Sequence, residues 1–436
     1  MEIKKNSIWV DSVELPKFKK LENDLHTDIV VIGGGITGLL TAYKLNKLGK
    51  KVVVLEKERI GMGITKNTTA FITSQQDTLY LERMKKIGFY HTKQYLEANE
   101  QAIDAYQKLS EEFSFDFERL PSYLYSTKDP KTIEEEAATL QNLGIDAKLK
   151  KQIHLPFEIA QAVEVPNQAQ MHPLKLLACL AKNLEIYEET CVEKIKRKSV
   201  IANGYEIFAN HIIVTTHFPF MDHLGLYYAK MYQKRSFVVA IQTKDEIQGI
   251  YTNLDEDDFY FRKYQDYLLI GGNDCQSGNR EKHFESIETF IKTYYNKAEI
   301  TNKWSNQDCV SLDDLPYIGK YSGFRNNLYV ATGFNLWGMT QAMISAEVLT
   351  DMITEKENKY EDLFNPNRNM IKKQLFVNLG TYLKHLFKKR KKTCTHLGAS
   401  LVYNEEEQTW ECPCHGSRFD ETGKILDNPT QKNVKG

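Results

Sequence analysis

The run Asp28-Ile29-Val30-Val31-Ile32-Gly33-Gly34-Gly35-Ile36-Thr37-Gly38 decides the fold. Ile29 to Ile32 are apolar and β-branched, the pattern of a strand buried on both faces. Glycines follow at once, and Leu39-Leu40-Thr41-Ala42-Tyr43-Lys44-Leu45 continues as a helix that stops at Gly49. Gly33 permits the tight turn, Gly35 lets backbone approach a pyrophosphate, and Gly38 lets helix and strand pack closely. The helix start at Ile36 and Thr37 offers N–H groups and a positive dipole end to that pyrophosphate. A second strand, Lys51 to Leu55, ends in Glu56 with Lys57 beside it, at the distance where a carboxylate accepts ribose hydroxyls. A glycine-rich turn that binds nothing explains the glycines alone. Strand, glycines, helix, second strand and acidic residue in register predict a dinucleotide site.

The chain of 436 residues has room for two or three domains, with 42% hydrophobic residues and a net charge of −1. That balance excludes a nucleic-acid binder working by bulk electrostatics. Met1-Glu2-Ile3-Lys4-Lys5 opens without an apolar stretch behind it, and no apolar run is long enough to span a bilayer, so a cytoplasmic protein is expected. Seven cysteines lie scattered at 179, 191, 275 and 309 and bunched at 394, 412 and 414. This distribution argues against a disulfide framework and for reduced thiols with one clustered task.

Residues 1–27 read as a polar arm leading into the first strand. After Glu56, the stretch Arg59 to Ala70 is dense in glycine and hydroxyl residues. An ordinary surface loop would look similar, but its place directly after the ribose carboxylate predicts cofactor contact through Thr65, Thr69 and Ala70. Residues 79–145 are helical in pattern and predict part of an inserted lobe. Met171-His172-Pro173 opens another helix, and a strand through Ile212-Ile213-Val214 ends at Thr215-Thr216-His217, with Thr215 placed beside the cofactor. From 235 to 272 the alternation is that of strands, and period 2 puts Tyr260, Arg262 and Tyr264 on one face. That face is either a solvated sheet edge or a substrate wall on which Arg262 pairs a carboxylate. Late in the chain, Leu328 to Gly333 reads as a buried strand and Gly338-Met339-Thr340 as a helix start whose positive end favours negative charge on a reduced ring.

Together these segments, from about Asp28 to Arg368, resemble the FAD-dependent oxidoreductases of the D-amino-acid oxidase type. The resemblance rests on Gly33 to Gly38 with Glu56, Gly61 to Ala70, Met171-His172-Pro173, Ile213 to Thr216, Trp304 with Leu312 to Gly319, and Leu328 to Thr340. It implies FAD as cofactor and hydride transfer to the flavin from a carbon bearing an amine, with the protein supplying orientation and electrostatics. No general base is expected; His217 and Tyr260 are the candidate neighbours of the ring. The stretch Thr68 to Gln75 looks like the branch holding γ-glutamylputrescine oxidase-like proteins, although Gln76 and Asp77 stand where that branch has histidine and glycine. Cys309 lies near the position at which sarcosine oxidases of this superfamily attach FAD, and a buried free cysteine is the simpler reading.

The C-terminal end carries Cys394-Thr-His396-Leu-Gly398-Ala399 and Trp410-Glu-Cys412-Pro-Cys414-His415-Gly416-Ser417-Arg418-Phe419. These segments resemble the two cluster loops of a Rieske [2Fe–2S] domain. The resemblance implies that Cys394 and Cys412 ligate one iron as thiolates and His396 and His415 the other through neutral imidazole. A Cys2His2 zinc site is the alternative that the ligand types allow. The extra cysteine pair of high-potential Rieske proteins is broken, since Ala399 faces Cys414, and Phe419 replaces a frequent tyrosine donor while Ser417 is kept; a middling potential follows. A complete domain carries several strands ahead of the first loop. Here only 369–393 intervene, so the cluster is expected to be poorly shielded. Residues 370–393 hold eight basic and no acidic residues, with apolar positions at helical spacing. This segment reads as a linker helix packed on the oxidase domain, with an anionic membrane surface or an acidic electron-transfer partner as alternatives.

The expected fold is α/β. A Rossmann-like FAD-binding domain is assembled from about 28–75, 150–220 and 305–360, within an oxidoreductase domain of 1–368. A mixed or antiparallel substrate lobe comes from about 76–149 and 221–304, and a β-rich iron–sulfur module from 394–436. The expected function is FAD-dependent oxidation of a small amine or amino acid, with electrons relayed to the cluster and on to an unidentified acceptor. The alternatives are an electron-transfer reductase serving a partner protein, and a flavin oxidase with a vestigial or zinc-bound tail.

Overall fold

The computed structural model of the chain describes residues 3–434 apart from 77–78, 222–224, 246, 257–258, 280–281 and 369–391. The basic segment and Asp77 therefore lie outside the described residues, apart from Lys392 and Thr393 at the end of the segment.

An eight-stranded sheet organises the nucleotide domain. Leu25–Ile32 lies at its centre, paired in parallel with Val52–Leu55 on one side and Tyr205–Val214 on the other. Leu328–Thr332 continues the parallel order beyond Tyr205–Val214, and Tyr317–Lys320 adds an antiparallel edge. Ile29, Val30 and Val31 are fully buried because both faces of the sheet are covered, Ile29 and Val31 beside helix residues Leu39 and Leu40, and Val30 beside Val192, Ile195 and Val200 of an antiparallel strand pair. Helices Ile36–Lys47 and Gly338–Ile353 pack against each other on one face.

The second lobe is a nine-stranded sheet in the order Glu299–Ser311, Met231–Gln242, Tyr267–Gln276, Tyr260–Tyr264, Ile250–Asn253, Glu118–Ser126, Gln161–Gln170 and Phe71–Ile72, with Lys148–Lys150 beside Gln161–Gln170. It is mixed, since Ile250–Asn253 runs parallel to Glu118–Ser126 while the other pairs are antiparallel. This lobe takes in more chain than sequence division assigns to it. Phe71–Ile72 and Gln161–Gln170 pair here and not in the nucleotide sheet. The region 79–145 is likewise not uniformly helical. Between helices Tyr80–Glu112 and Pro130–Leu143 the strand Glu118–Ser126 crosses the lobe. Tyr123, Leu124 and Tyr125 are buried in succession, so that stretch has no polar face to reveal its period.

The N-terminal arm is more than a lead-in. Ile8–Ser12 forms a short helix, and Trp9 is wholly buried against His172 and Tyr264. At the other end, four short antiparallel strands, Val402–Asn404, Thr409–Glu411, Arg418–Phe419 and Ile425–Asp427, make the terminal module. Its core is small: Cys394, Ala399, Leu401, Cys412, Cys414, Phe419 and Val434.

Candidate flavin and cluster sites

The glycine loop is built for close approach. Gly33 has φ +112°, and a Cβ there would stand 2.7 Å from the Thr215 carbonyl oxygen. A Cβ on Gly38 would stand 2.0 Å from the Gly33 carbonyl oxygen. Gly35 begins the helix Ile36–Lys47 without a side-chain cap, and Ile36 N donates to Thr65 Oγ1 at 3.1 Å. The Thr215 hydroxyl bonds back to the Ile32 carbonyl at 3.0 Å, joining two adjacent strand ends at the loop. Glu56 closes over this loop: its carboxylate accepts from Gly34 N at 2.7 Å and Glu58 N at 2.9 Å, and burial raises its pKa. Lys57 lies at the surface, 3.8 Å from Glu58, and its charge offsets part of the rise at Glu56. Thr37 and Gly38 are buried in the first turn. A carboxylate laid on a side-chain-free loop before an uncapped helix end is a fit for a ribose–pyrophosphate group.

The stretch 66–69 is held from behind at four successive carbonyls. The Lys66 carbonyl accepts from Ser7 Oγ, Asn67 from Trp304 Nε1 at 2.8 Å, Thr68 from Trp9 Nε1 at 2.7 Å, and Thr69 from Arg262 Nη1. Ala70 then adopts φ +57°, its N–H bonded to Thr68 Oγ1. With its carbonyls pinned, this loop presents Asn67, Thr68 and Thr69 to a cavity of about 860 Å³, counting its open mouth.

That cavity is also walled by Phe71, Tyr260 and Trp337, by Lys234, Ser236, Asp274 and Asn306, and by Gly338 and Met339. The last two begin the helix Gly338–Ile353, which has no side-chain cap, so its positive end faces the cavity. Thr340, one residue deeper, accepts from Gln76 Nε2 at 3.4 Å, and Gly333 turns with φ +73° beside Tyr317 and Met231. Tyr260 stands on the wall, its ring edge-on to Phe71 at 5.7 Å.

Arg262 does not. It is fully buried, with Nε bonded to Gln170 Oε1 and Nη2 to the Met171 carbonyl, each at 2.7 Å, and its guanidinium 5.0 Å from the Trp9 ring. Tyr264 shares its face, as period 2 requires, but that face packs on the N-terminal arm. Instead of meeting a substrate carboxylate, Arg262 holds the Thr69 carbonyl and thereby the loop 66–69. His217 also lies off the cavity, at φ +64°, with Nδ1 4.0 Å from Asp308 Oδ1. Burial lowers its pKa to about 4 and raises that of Asp308 to about 7. Cys309 is enclosed in the apolar cluster with Val214, Met231 and Tyr317, away from the cavity.

In the terminal module, the Cys394 and Cys412 thiols lie within hydrogen-bonding reach of each other, and the Ser417 hydroxyl reaches Cys394. The His396 and His415 rings are 5.1 Å apart and nearly perpendicular, with Nδ1 of each shielded from water. Burial pushes the His415 pKa down to about 3, favouring the neutral ring that a metal ligand must be. Among the described residues no three His, Cys, Asp or Glu side chains converge on one point. The four stand as a thiol pair and an imidazole pair, the donor split of a two-iron cluster.

Of the four residues expected to hold the cluster, Cys394 and Cys412 are buried in the module's own core and His415 is 3% exposed, while His396 is half-buried. The module is seated on the lobe sheet. Strands Met231–Gln242 and Glu299–Ser311 divide their side chains between two tasks. Lys234, Ser236 and Asn306 face the cavity. Their neighbours Arg235 and Ser305 face the module, where Arg235 bonds Glu411 at 2.5 Å and Ser305 Oγ bonds Glu407 at 2.6 Å. Asn428 of the module donates to the carbonyls of Thr216 and Phe218, at 2.5 and 3.1 Å, just beyond Thr215.

The sequence matches the FAD dependent oxidoreductase family, DAO, over residues 28–352 and the Rieske [2Fe-2S] domain over 368–436. The chain belongs to that oxidoreductase family; it is a flavoprotein that binds FAD and carries a [2Fe–2S] cluster in a C-terminal Rieske domain. It is 34% identical to the Rieske 2Fe-2S iron-sulfur protein YhfW of Bacillus subtilis, over 98% of this chain and 96% of that one. Among solved structures, glycine oxidase from Geobacillus kaustophilus superposes with a TM-score of 0.68 at 17% identity, covering 79% of this chain and 100% of that one. L-Proline dehydrogenase from P. horikoshii gives 0.66 at 21% identity, covering 79% and 98%. No described helix is long and apolar enough to cross a membrane.

Proposed function

We propose that the chain oxidises the C–N bond of a small amine or amino acid in the cavity beside Tyr260, and that the electrons cross the lobe sheet to the cluster and leave for an acceptor outside the chain. The observation that carries this reading is the division of the strand pair. Lys234, Ser236 and Asn306 line the cavity, and Gln233, Arg235 and Gln307, alternating with them, contact the cluster module. A single sheet layer therefore separates the place of substrate oxidation from the cluster loops.

When bound, FAD accepts a hydride as two electrons and the cluster carries one at a time, so the pair converts one kind of transfer into the other. The residues of this chain supply the setting. Phe71, Tyr260 and Trp337 give the cavity aromatic walls, while Lys234 and Asp274 provide one cationic and one anionic group for a zwitterionic substrate. The names of the structural neighbours, a glycine oxidase and an L-proline dehydrogenase, agree with an amino-acid substrate. The test is anaerobic bleaching of the flavin by a panel of amines and amino acids. Bleaching by NAD(P)H instead would assign the protein to electron-transfer reductases.

A further inference from the structure

Gln233 and Gln307 are each 2% exposed or less, and both are directed out of the flavoprotein sheet into the second cluster loop. Gln233 Nε2 donates to the His415 carbonyl at 2.7 Å, and Gln307 Nε2 donates to the Gly416 carbonyl at 2.8 Å. Gln307 also donates to Gln233 Oε1, and Ser277 Oγ reaches Gln307 Oε1 at 3.4 Å. The amides thus form one connected unit ending on two consecutive carbonyls, the first of them belonging to a cluster ligand.

The backbones are fitted as closely as the side chains. Gly416 has φ +74°, and a Cβ there would lie 2.7 Å from Cδ and 2.8 Å from Cβ of Gln233. From the other side, a Cβ on Gly278 of the flavoprotein would lie 2.8 Å from Cβ of Pro413. Each surface has a glycine where the other presses against it.

We propose that the flavoprotein sheet is part of the cluster site, with Gln233 and Gln307 positioning the His415 loop from outside the module. A buried carbonyl deprived of its donor must be desolvated without return, so the loop stays closed only while both amides reach it. A second consequence concerns the ring of His415. Its carbonyl is fixed from outside the module, so the backbone that would present the imidazole to a cluster is held by the flavoprotein. The inference concerns cluster retention alone and does not require the substrate reading above.

The test is the double variant Gln233→Leu/Gln307→Leu, expressed as the full chain and purified anaerobically. Iron and acid-labile sulfide per FAD are measured after gel filtration with a chelator, together with the EPR spectrum of the dithionite-reduced cluster. Iron per FAD should fall about tenfold, the lower range for loss of partners that orient metal ligands, while FAD stays at the wild-type level. Each single variant should keep part of its iron and shift the g values. Gln233→Asn and Gln307→Asn, which keep the amide but withdraw it by one methylene, should each lose part of the iron and shift the g values, and they decide the matter if the double variant does not fold. Two irons per FAD with an unchanged EPR spectrum, in the double variant or in both Asn variants, would overturn the proposal.

Discussion

Arg235 Nη1 stands 2.5 Å from Glu411 Oε1, with both side chains 1% exposed, although 176 residues separate them. Arg235 also pairs with Glu407, and Arg418 of the module contacts Glu407 at 3.2 Å and Asp427 at 3.0 Å. Removing one member of a buried ion-pair network leaves its partners uncompensated at a cost of about 3–5 kcal/mol. Arg235→Met should therefore lower the thermal unfolding temperature of the cluster module and expose it to limited proteolysis, with FAD retained. An unchanged melting profile and cleavage pattern would show that this network does not seat the module.

Arg262 separates two roles that sequence alone leaves together. Its guanidinium holds the carbonyls of Thr69 and Met171, so Arg262→Met should cost about 1–3 kcal/mol of FAD affinity through carbonyls left without a donor. In protein saturated with FAD, KM for substrate should stay close to wild type. A large rise in KM at full FAD loading would restore the reading in which Arg262 binds a substrate carboxylate.

Gly38→Ala should abolish FAD binding, because the added Cβ would stand 2.0 Å from the Gly33 carbonyl oxygen. Flavin absorbance after gel filtration checks this, and the iron content of the module should persist if the chain folds.

The buried pair of His217 and Asp308 predicts opposing pH dependences. His217 has its folded pKa lowered to about 4 by burial, so its contribution to stability is complete above its unfolded pKa near 6.5 and is lost as pH falls toward 4. Asp308 has its folded pKa raised to about 7, so its contribution is complete below the unfolded value near 4 and is lost as pH rises toward 7. Across pH 4 to 6.5 the two slopes offset each other. Asp308→Asn should make stability rise with pH in that window, and His217→Asn should make it fall, each by up to about 1.4 kcal/mol per pH unit. Denaturant unfolding at four or five pH values measures both. Parallel slopes in the two variants would contradict the assignment.

The central strand, its glycines and Glu56 were legible because they obey local rules: strand period, turn chemistry and a fixed spacing to the acidic residue. The cluster loops were legible because their cysteines and histidines lie close together in sequence. Trp9 and Ser7 carried no such signal, since a polar arm reveals its anchor only once the loop at 66–69 is folded against it. Arg262 fell on the predicted face of its strand, but which body covers that face is set by tertiary packing. Arg235 falls at the start of the alternating stretch 235–272, and Gln233 and Gln307 lie outside it with no pattern of their own. Their partners at 407–416 lie more than 90 residues further on, and no local pattern links an amide to a carbonyl at that separation. The contact of the second cluster loop with the lobe sheet was hidden from the sequence for the same reason, since Gln233 and Gln307 meet the carbonyls of His415 and Gly416 across long separations.

The most direct test of the account is anaerobic mixing of the fully loaded protein with an amino-acid panel, followed by EPR of samples frozen at successive times. An amino acid that bleaches the flavin should also bring up the signal of the reduced [2Fe–2S] cluster, without added mediator. Complete bleaching with the cluster remaining oxidised would contradict it.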